Sequence, residues 1–113
     1  MSDKKVLIVD DEKDIRNIIR YNLEKQGFKC ISATDGDGAL EKLNKNPDLI
    51  ILDIMMPEKD GYEVCKIIRA QGNTVPIIFL TAMDREFDEI KGLECGGDDY
   101  LRKPFSPRIL IAR

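Results

Sequence analysis

Three short apolar runs each stop at a residue that can do chemistry. Val6-Leu7-Ile8-Val9 gives way to Asp10-Asp11, Leu49-Ile50-Ile51-Leu52 to Asp53, and Ile77-Ile78-Phe79-Leu80 to Thr81. A weaker segment, Asp99 to Arg102, carries Tyr100 and runs into Lys103. Three carboxylates, a hydroxyl and an ammonium are thereby placed at the ends of apolar segments. Gathered together, the carboxylates would repel one another, and a hard divalent cation would offset that repulsion. With only oxygen donors present, Mg²⁺ is the natural choice, since it binds through one or two carboxylates plus waters and phosphate oxygens. One carboxylate beside a metal and a lysine can attack phosphorus and form an acyl phosphate. The lysine and the metal would then stabilise charge on the phosphoryl oxygens. Acidic residues also follow strands merely to cap helices or start turns. That ordinary use accounts for any one of these positions, but poorly for the whole set with Lys103-Pro104 at its end.

The elements that must position these residues are legible in the hydrophobic pattern. The three runs are continuous and rich in β-branched residues, as parallel strands covered on both faces should be. Lys29 to Ala33 and Asp99 to Arg102 read as edge strands of the same sheet. Helical spacing lies between them: Ile15, Ile18, Ile19 and Leu23; Ala39, Leu40 and Leu43; Val64, Ile67 and Ile68; Phe87, Ile90 and Leu93. Gly27, Asn46-Pro47, Gly72 and Gly96-Gly97 stand where helices should stop. A β-α unit repeated five times predicts a doubly wound α/β domain with a five-stranded parallel sheet. Its last helix begins near Ser106-Pro107 and is expected to be cut off at Arg113. In such sheets ligands bind outside the carboxyl ends of the strands, where all the residues named above fall. Gly36 and Gly38 read as a turn and helix start, because the pattern of a phosphate-cradling loop is missing.

Composition narrows the field further. A chain of 113 residues suits one domain, and a 42% hydrophobic fraction suffices for a core. With 18 basic and 21 acidic residues the net charge is −3, which argues against a surface built to coat nucleic acid or an anionic membrane. No apolar run approaches the roughly 20 residues of a membrane span, and the N-terminus is no secretory signal, so a cytoplasmic location is expected. Cys30, Cys65 and Cys95 are scattered, which fits buried free thiols in a reducing compartment. The sequence has no histidine. That disfavours a zinc site, excludes Ser-His and Cys-His catalysis, and assigns any phosphohistidine to a partner.

The segments Val6-Leu7-Ile8-Val9-Asp10-Asp11-Glu12, Leu52-Asp53-Ile54-Met55-Met56-Pro57, Asp60-Gly61, Leu80-Thr81-Ala82 and Lys103-Pro104-Phe105 resemble the response-regulator receiver family, across essentially the whole chain. The resemblance implies a CheY-like, flavodoxin-like strand order 2-1-3-4-5 and a single receiver domain over residues 1–113. It implies that Asp53 is the phospho-acceptor, serving a partner sensor histidine kinase of a two-component system. Asp11 would ligate Mg²⁺ directly, Asp10 largely through water, and the Met55 backbone carbonyl would complete the protein ligands beside Asp53. Lys103 would pair with Asp53 and then with the phosphoryl oxygens. Thr81 would move its hydroxyl onto the phosphoryl group, and Tyr100 would turn inward behind it. Such a protein catalyses only its own phosphoryl transfer and dephosphorylation.

Lys91-Gly92-Leu93-Glu94-Cys95-Gly96-Gly97-Asp98-Asp99-Tyr100 is most similar to the OmpR/PhoB branch, whose full-length members carry a C-terminal winged-helix DNA-binding domain. DNA would thus be a partner only through an effector domain expected to be absent from these 113 residues. The branch also implies a two-fold homodimer on phosphorylation, through the fourth helix, fifth strand and fifth helix. Lys91, Asp98, Asp99, Arg102 and Arg113 would charge that face. Gly97 stands where an alanine is usual, Ile109 where the branch has an acid, and Glu89 where its basic partner is expected, so one ion pair should be missing.

Two other classes fit less well. A haloacid-dehalogenase-like phosphatase needs a second aspartate two residues after its nucleophile, which Asp10-Asp11-Glu12-Lys13 does not supply. A flavodoxin-like binding module needs a Ser/Thr/Gly-rich loop after the first strand, where acidic residues would instead repel phosphate. Within the family, a stand-alone receiver that signals by protein docking remains an alternative.

Overall fold

Continuous apolar runs cannot turn half their side chains to water, so both faces of the strands they form must be covered. The computed structural model, which describes residues 4–54, 56, 60–81 and 99–102, meets that requirement with a single sheet. In chain order the elements are β1 (Lys5–Val9), α1 (Lys13–Lys25), β2 (Lys29–Ala33), α2 (Gly36–Lys42), a 3₁₀ turn at Leu43–Lys45, β3 (Leu49–Asp53), α3 (Gly61–Ala70), β4 (Ile77–Thr81) and β5 (Asp99–Arg102). The strands lie in the order β2-β1-β3-β4-β5, and every neighbouring pair is parallel. This is the expected flavodoxin-like arrangement, with β2 and β5 at the edges.

The sheet divides the interior into two cores by strand parity. Leu7, Val9, Ile50, Leu52, Ile77 and Phe79 pack with Ala39 of α2 and with Tyr62, Val64, Cys65 and Ile68 of α3. Their strand neighbours Val6, Ile8, Ile51, Ile78 and Leu80 point the other way and pack with Ile19 and Leu23 of α1. Each fully covered aliphatic side chain contributes roughly 1.5–3 kcal/mol of transfer free energy. Both cores therefore hold the three central strands in fixed register.

Most helix faces lie where the spacing puts them, with one correction. Ile19 and Leu23 are buried and Ile15 packs beside them, but Ile18 is 48% exposed. Positions 15, 19 and 23 repeat every four residues and form one stripe. Ile18 lies a full 100° step from Ile19 and falls off it. The helix stops are as expected: Gly27 and Gly72 take φ of 94° and 79°, and Asn46 takes 54°, left-handed values that end a helix. Gly36 and Gly38 belong to a helix start, with Asp35 accepting the Gly38 N–H at 2.7 Å.

Cys65 is buried, whereas Cys30, expected to be buried, is only partly covered on the edge strand. Among the described residues no helix is long and apolar enough to cross a membrane. The expected fourth helix around Phe87 to Leu93, the last helix from Ser106, and Cys95 lie outside the described residues.

Candidate functional site

The register brings the first two acidic strand ends side by side. Val9 of β1 stands opposite Leu52 of β3, so Asp10 follows the one strand as Asp53 ends the other. Both side chains share the parity of Ile8 and Ile51 and so continue the face that α1 covers. Both are buried, Asp10 at 0% and Asp53 at 2% exposure. Carboxylates are rarely so covered unless they are paired, hydrogen-bonded or bound to a metal. Asp53 in turn stands opposite Leu80, which places Thr81 one step beyond it on β4. Phe79 stands opposite Tyr100, and Thr81 opposite Arg102, so the fifth strand is aligned along the same edge.

Asp10 is held from several directions. Its N–H donates to the Ala33 carbonyl at 3.2 Å, continuing the contact with β2 beyond the last strand pair. Its Oδ1 accepts the Glu12 N–H at 2.9 Å, which bends the chain sharply between β1 and α1. The guanidinium of Arg16, on the first turns of α1, donates from Nη1 to the Asp10 carbonyl oxygen at 2.7 Å. Asp11 and Glu12 are left exposed at the rim. Carboxylate oxygens of Asp10, Asp11 and Glu12 all lie within 4.8 Å of one another. An all-oxygen donor set of this kind fits a hard cation such as Mg²⁺.

The other side of Asp53 is set by α3. Asp60 caps this helix by accepting the Glu63 N–H at 2.9 Å. The next residue, Gly61, donates its N–H to the Ile54 carbonyl at 3.0 Å. A Cβ on Gly61 would lie 2.6 Å from the Asp53 carbonyl oxygen and 2.9 Å from Ile54 Cα. The helix start is therefore seated directly on the backbone that carries the aspartate.

Of the expected site residues, Asp10 and Asp53 come side by side at neighbouring strand ends, Asp11 gathers with Asp10 and Glu12, and the backbones of Thr81 and Tyr100 fall on the adjoining strands. Met55 and Lys103 lie outside the described residues. Sequence reasoning gave no role to Glu12, Gly61 or Arg16. Glu12 is signalled by its place in the acidic triplet and Gly61 by the Asp60-Gly61 pair. The reach of Arg16 back to Asp10 has no sequence signal.

The family model of the response regulator receiver domain matches residues 6–113. The alkaline phosphatase synthesis transcriptional regulatory protein PhoP of Bacillus subtilis (strain 168) is 54% identical over 111 residues, which are 97% of this chain. The chain spans 46% of that relative's length. Among solved structures, the Francisella response regulator 1452 receiver domain superposes with a TM-score of 0.92 at 44% identity, over 98% of this chain and 93% of that one. The chemotaxis protein CheY4 of Vibrio cholerae gives a TM-score of 0.93 at 35% identity, over 98% of this chain and 95% of its own.

Proposed function

The chain belongs to the response regulator receiver domain family, and from that premise we propose that Asp53 is its phospho-acceptor. Members of the family are signalling modules that work with sensor histidine kinases. The observation that carries the assignment is the burial of Asp53 at the end of the central strand, beside the equally buried Asp10. In the proposed reaction an Asp53 carboxylate oxygen forms a bond to phosphorus while the bond from phosphorus to the donor imidazole nitrogen breaks. The electron pair of that bond returns to the ring, and the product is an aspartyl phosphate.

The chain's own residues do three jobs in this reading. Asp11 would hold Mg²⁺, with Asp10, Asp53 and the Met55 carbonyl as the further protein donors. The ion supplies positive charge beside the phosphoryl oxygens when bound. Lys103 places its ammonium against the same oxygens. Thr81 and Tyr100 carry the change outward, the first by following the phosphoryl group and the second by turning inward behind it.

The similarity to PhoP supports a role in transcription, exercised through a DNA-binding domain beyond residues 1–113. Phosphorylation would then favour a two-fold dimer through the fourth helix, β5 and the fifth helix. The similarity to CheY4 favours a second reading, in which the domain signals by docking to another protein. The coding sequence that follows Arg113 separates the two. The phospho-acceptor itself is tested by intact mass after treatment with acetyl phosphate. The parent should gain one phosphoryl group and Asp53→Ala none, and a full adduct on the variant would remove Asp53 from the role.

A further inference from the structure

We infer that Arg16 is a positioning residue for the cation site, acting through the backbone of Asp10. The inference rests on the proposed metal-binding role of Asp10 and Asp11.

Arg16 lies six positions after Asp10, on the other side of the acidic turn, and its charge invites a simple electrostatic account. A cation next to Asp10, Asp11 and Glu12 would offset their repulsion and compete with any metal there. The geometry is different. Arg16 Nη1 donates 2.7 Å to the main-chain carbonyl of Asp10 and spans the turn from the helix side. The Arg16 N–H meanwhile donates to the Glu12 carbonyl at 3.1 Å, the first backbone bond of α1, which any residue at this position keeps. With the Glu12 N–H on Asp10 Oδ1 at 2.9 Å, the turn is closed by one bond and braced by the guanidinium. Asp11, the exposed residue at its apex, takes its direction from this brace. A charge-assisted bond from a part-buried guanidinium is among the stronger ones available to hold a loop.

The two accounts predict opposite signs. If Arg16 acted mainly by its charge, removing it would relieve repulsion of the metal and tighten Mg²⁺ binding. If it positions the turn, removing it weakens binding, because the carboxylates must be ordered at the expense of the metal's binding energy. Mg²⁺ titration by calorimetry, with urea melts of the metal-free proteins alongside, reads the difference for the parent, Arg16→Met, Arg16→Lys and Asp11→Asn. We expect the Kd to rise about tenfold in Arg16→Met, which corresponds to roughly 1.4 kcal/mol, and less in Arg16→Lys, which keeps a donor of shorter reach. An unchanged or lower Kd in Arg16→Met overturns the inference while leaving the metal site intact. If Arg16→Met does not fold, Arg16→Lys decides, and a parent-like Kd in that variant overturns it. If the parent itself binds no Mg²⁺, the inference falls together with the metal site, and Asp11→Asn will be indistinguishable from the parent.

Discussion

Gly61 and Asp53 are in closer backbone apposition than any side chain would allow. The 2.6 Å between an added Cβ and the Asp53 carbonyl leaves no room for a methyl group unless one of two backbones moves. Gly61→Ala is expected to cost about 1–3 kcal/mol, as overpacking does, and to slow phosphorylation by acetyl phosphate. Asp60→Ala should cost a similar amount by losing the helix cap without pressing on Asp53. Urea melts and phosphorylation rates of both variants check this. Equal rates at equal stability loss would show that Gly61 serves folding alone.

Metal binding should stabilise the parent, because a ligand held only by the folded state shifts the unfolding equilibrium. The Mg²⁺-dependent rise in urea midpoint is expected to disappear in Asp11→Asn and to shrink in Asp10→Asn, whose Oδ1 can still accept the Glu12 N–H. A full Mg²⁺ response in Asp11→Asn would contradict the ligand assignment.

Cys30 supplies a pH dependence of its own. Burial first, then the Glu24 carboxylate, raise its thiol from 9.0 to about 11, with Arg20 opposing. The folded state keeps the proton that the unfolded chain loses above pH 9, so this contribution is intact below pH 9 and is lost as the pH climbs toward 11. Cys30→Ala should therefore lose less stability than the parent over that interval in urea melts. Since the thiolate is the reactive form, iodoacetamide at pH 8 should label Cys30 about one to two orders of magnitude more slowly in the folded protein than in urea. Equal labelling rates would rule out the shift.

Dimerisation is expected only in the activated form. The proposed face would pair Lys91, Asp98, Asp99, Arg102 and Arg113 across a two-fold axis, with one ion pair missing at Ile109 and Glu89. Exposed pairs are worth about 0–1 kcal/mol each, so the association should be weak and sensitive to salt. Sedimentation should find a monomer alone and a dimer with the phosphoryl mimic beryllofluoride. A monomer under both conditions at high concentration, with the chain extended past Arg113, would count against the dimer.

The strands were legible because continuous runs of Val, Ile and Leu four residues long leave little choice of structure, and the ends at Asp10, Asp53 and Thr81 came with them. Helix faces were less so. Ile18 stands three positions from Ile15 and still meets solvent, because it lies 100° from Ile19 and outside the stripe that Ile15, Ile19 and Leu23 form. Arg16 was invisible as a site residue, and Gly61 was marked only by the pair it forms with Asp60, for another reason. Each acts on a backbone atom of a residue on a different element, and no side-chain pattern records a distance of that kind.

The parity that sorts Ile51 from Ile50 and Leu52 also fixes which way Asp53 faces. Deleting a single residue between Pro47 and Asp53 would reverse every side chain from the break to the strand end. Leucine and isoleucine could exchange cores at moderate loss, because either side would accept a hydrophobe of similar volume. The aspartate could not, since among the described residues the side opposite α1 is an apolar core that includes Tyr62, Val64 and Cys65 of α3. A reading frame of two thus runs through β3 alongside the genetic one of three, and the chemistry tolerates slippage in it even less than the packing does.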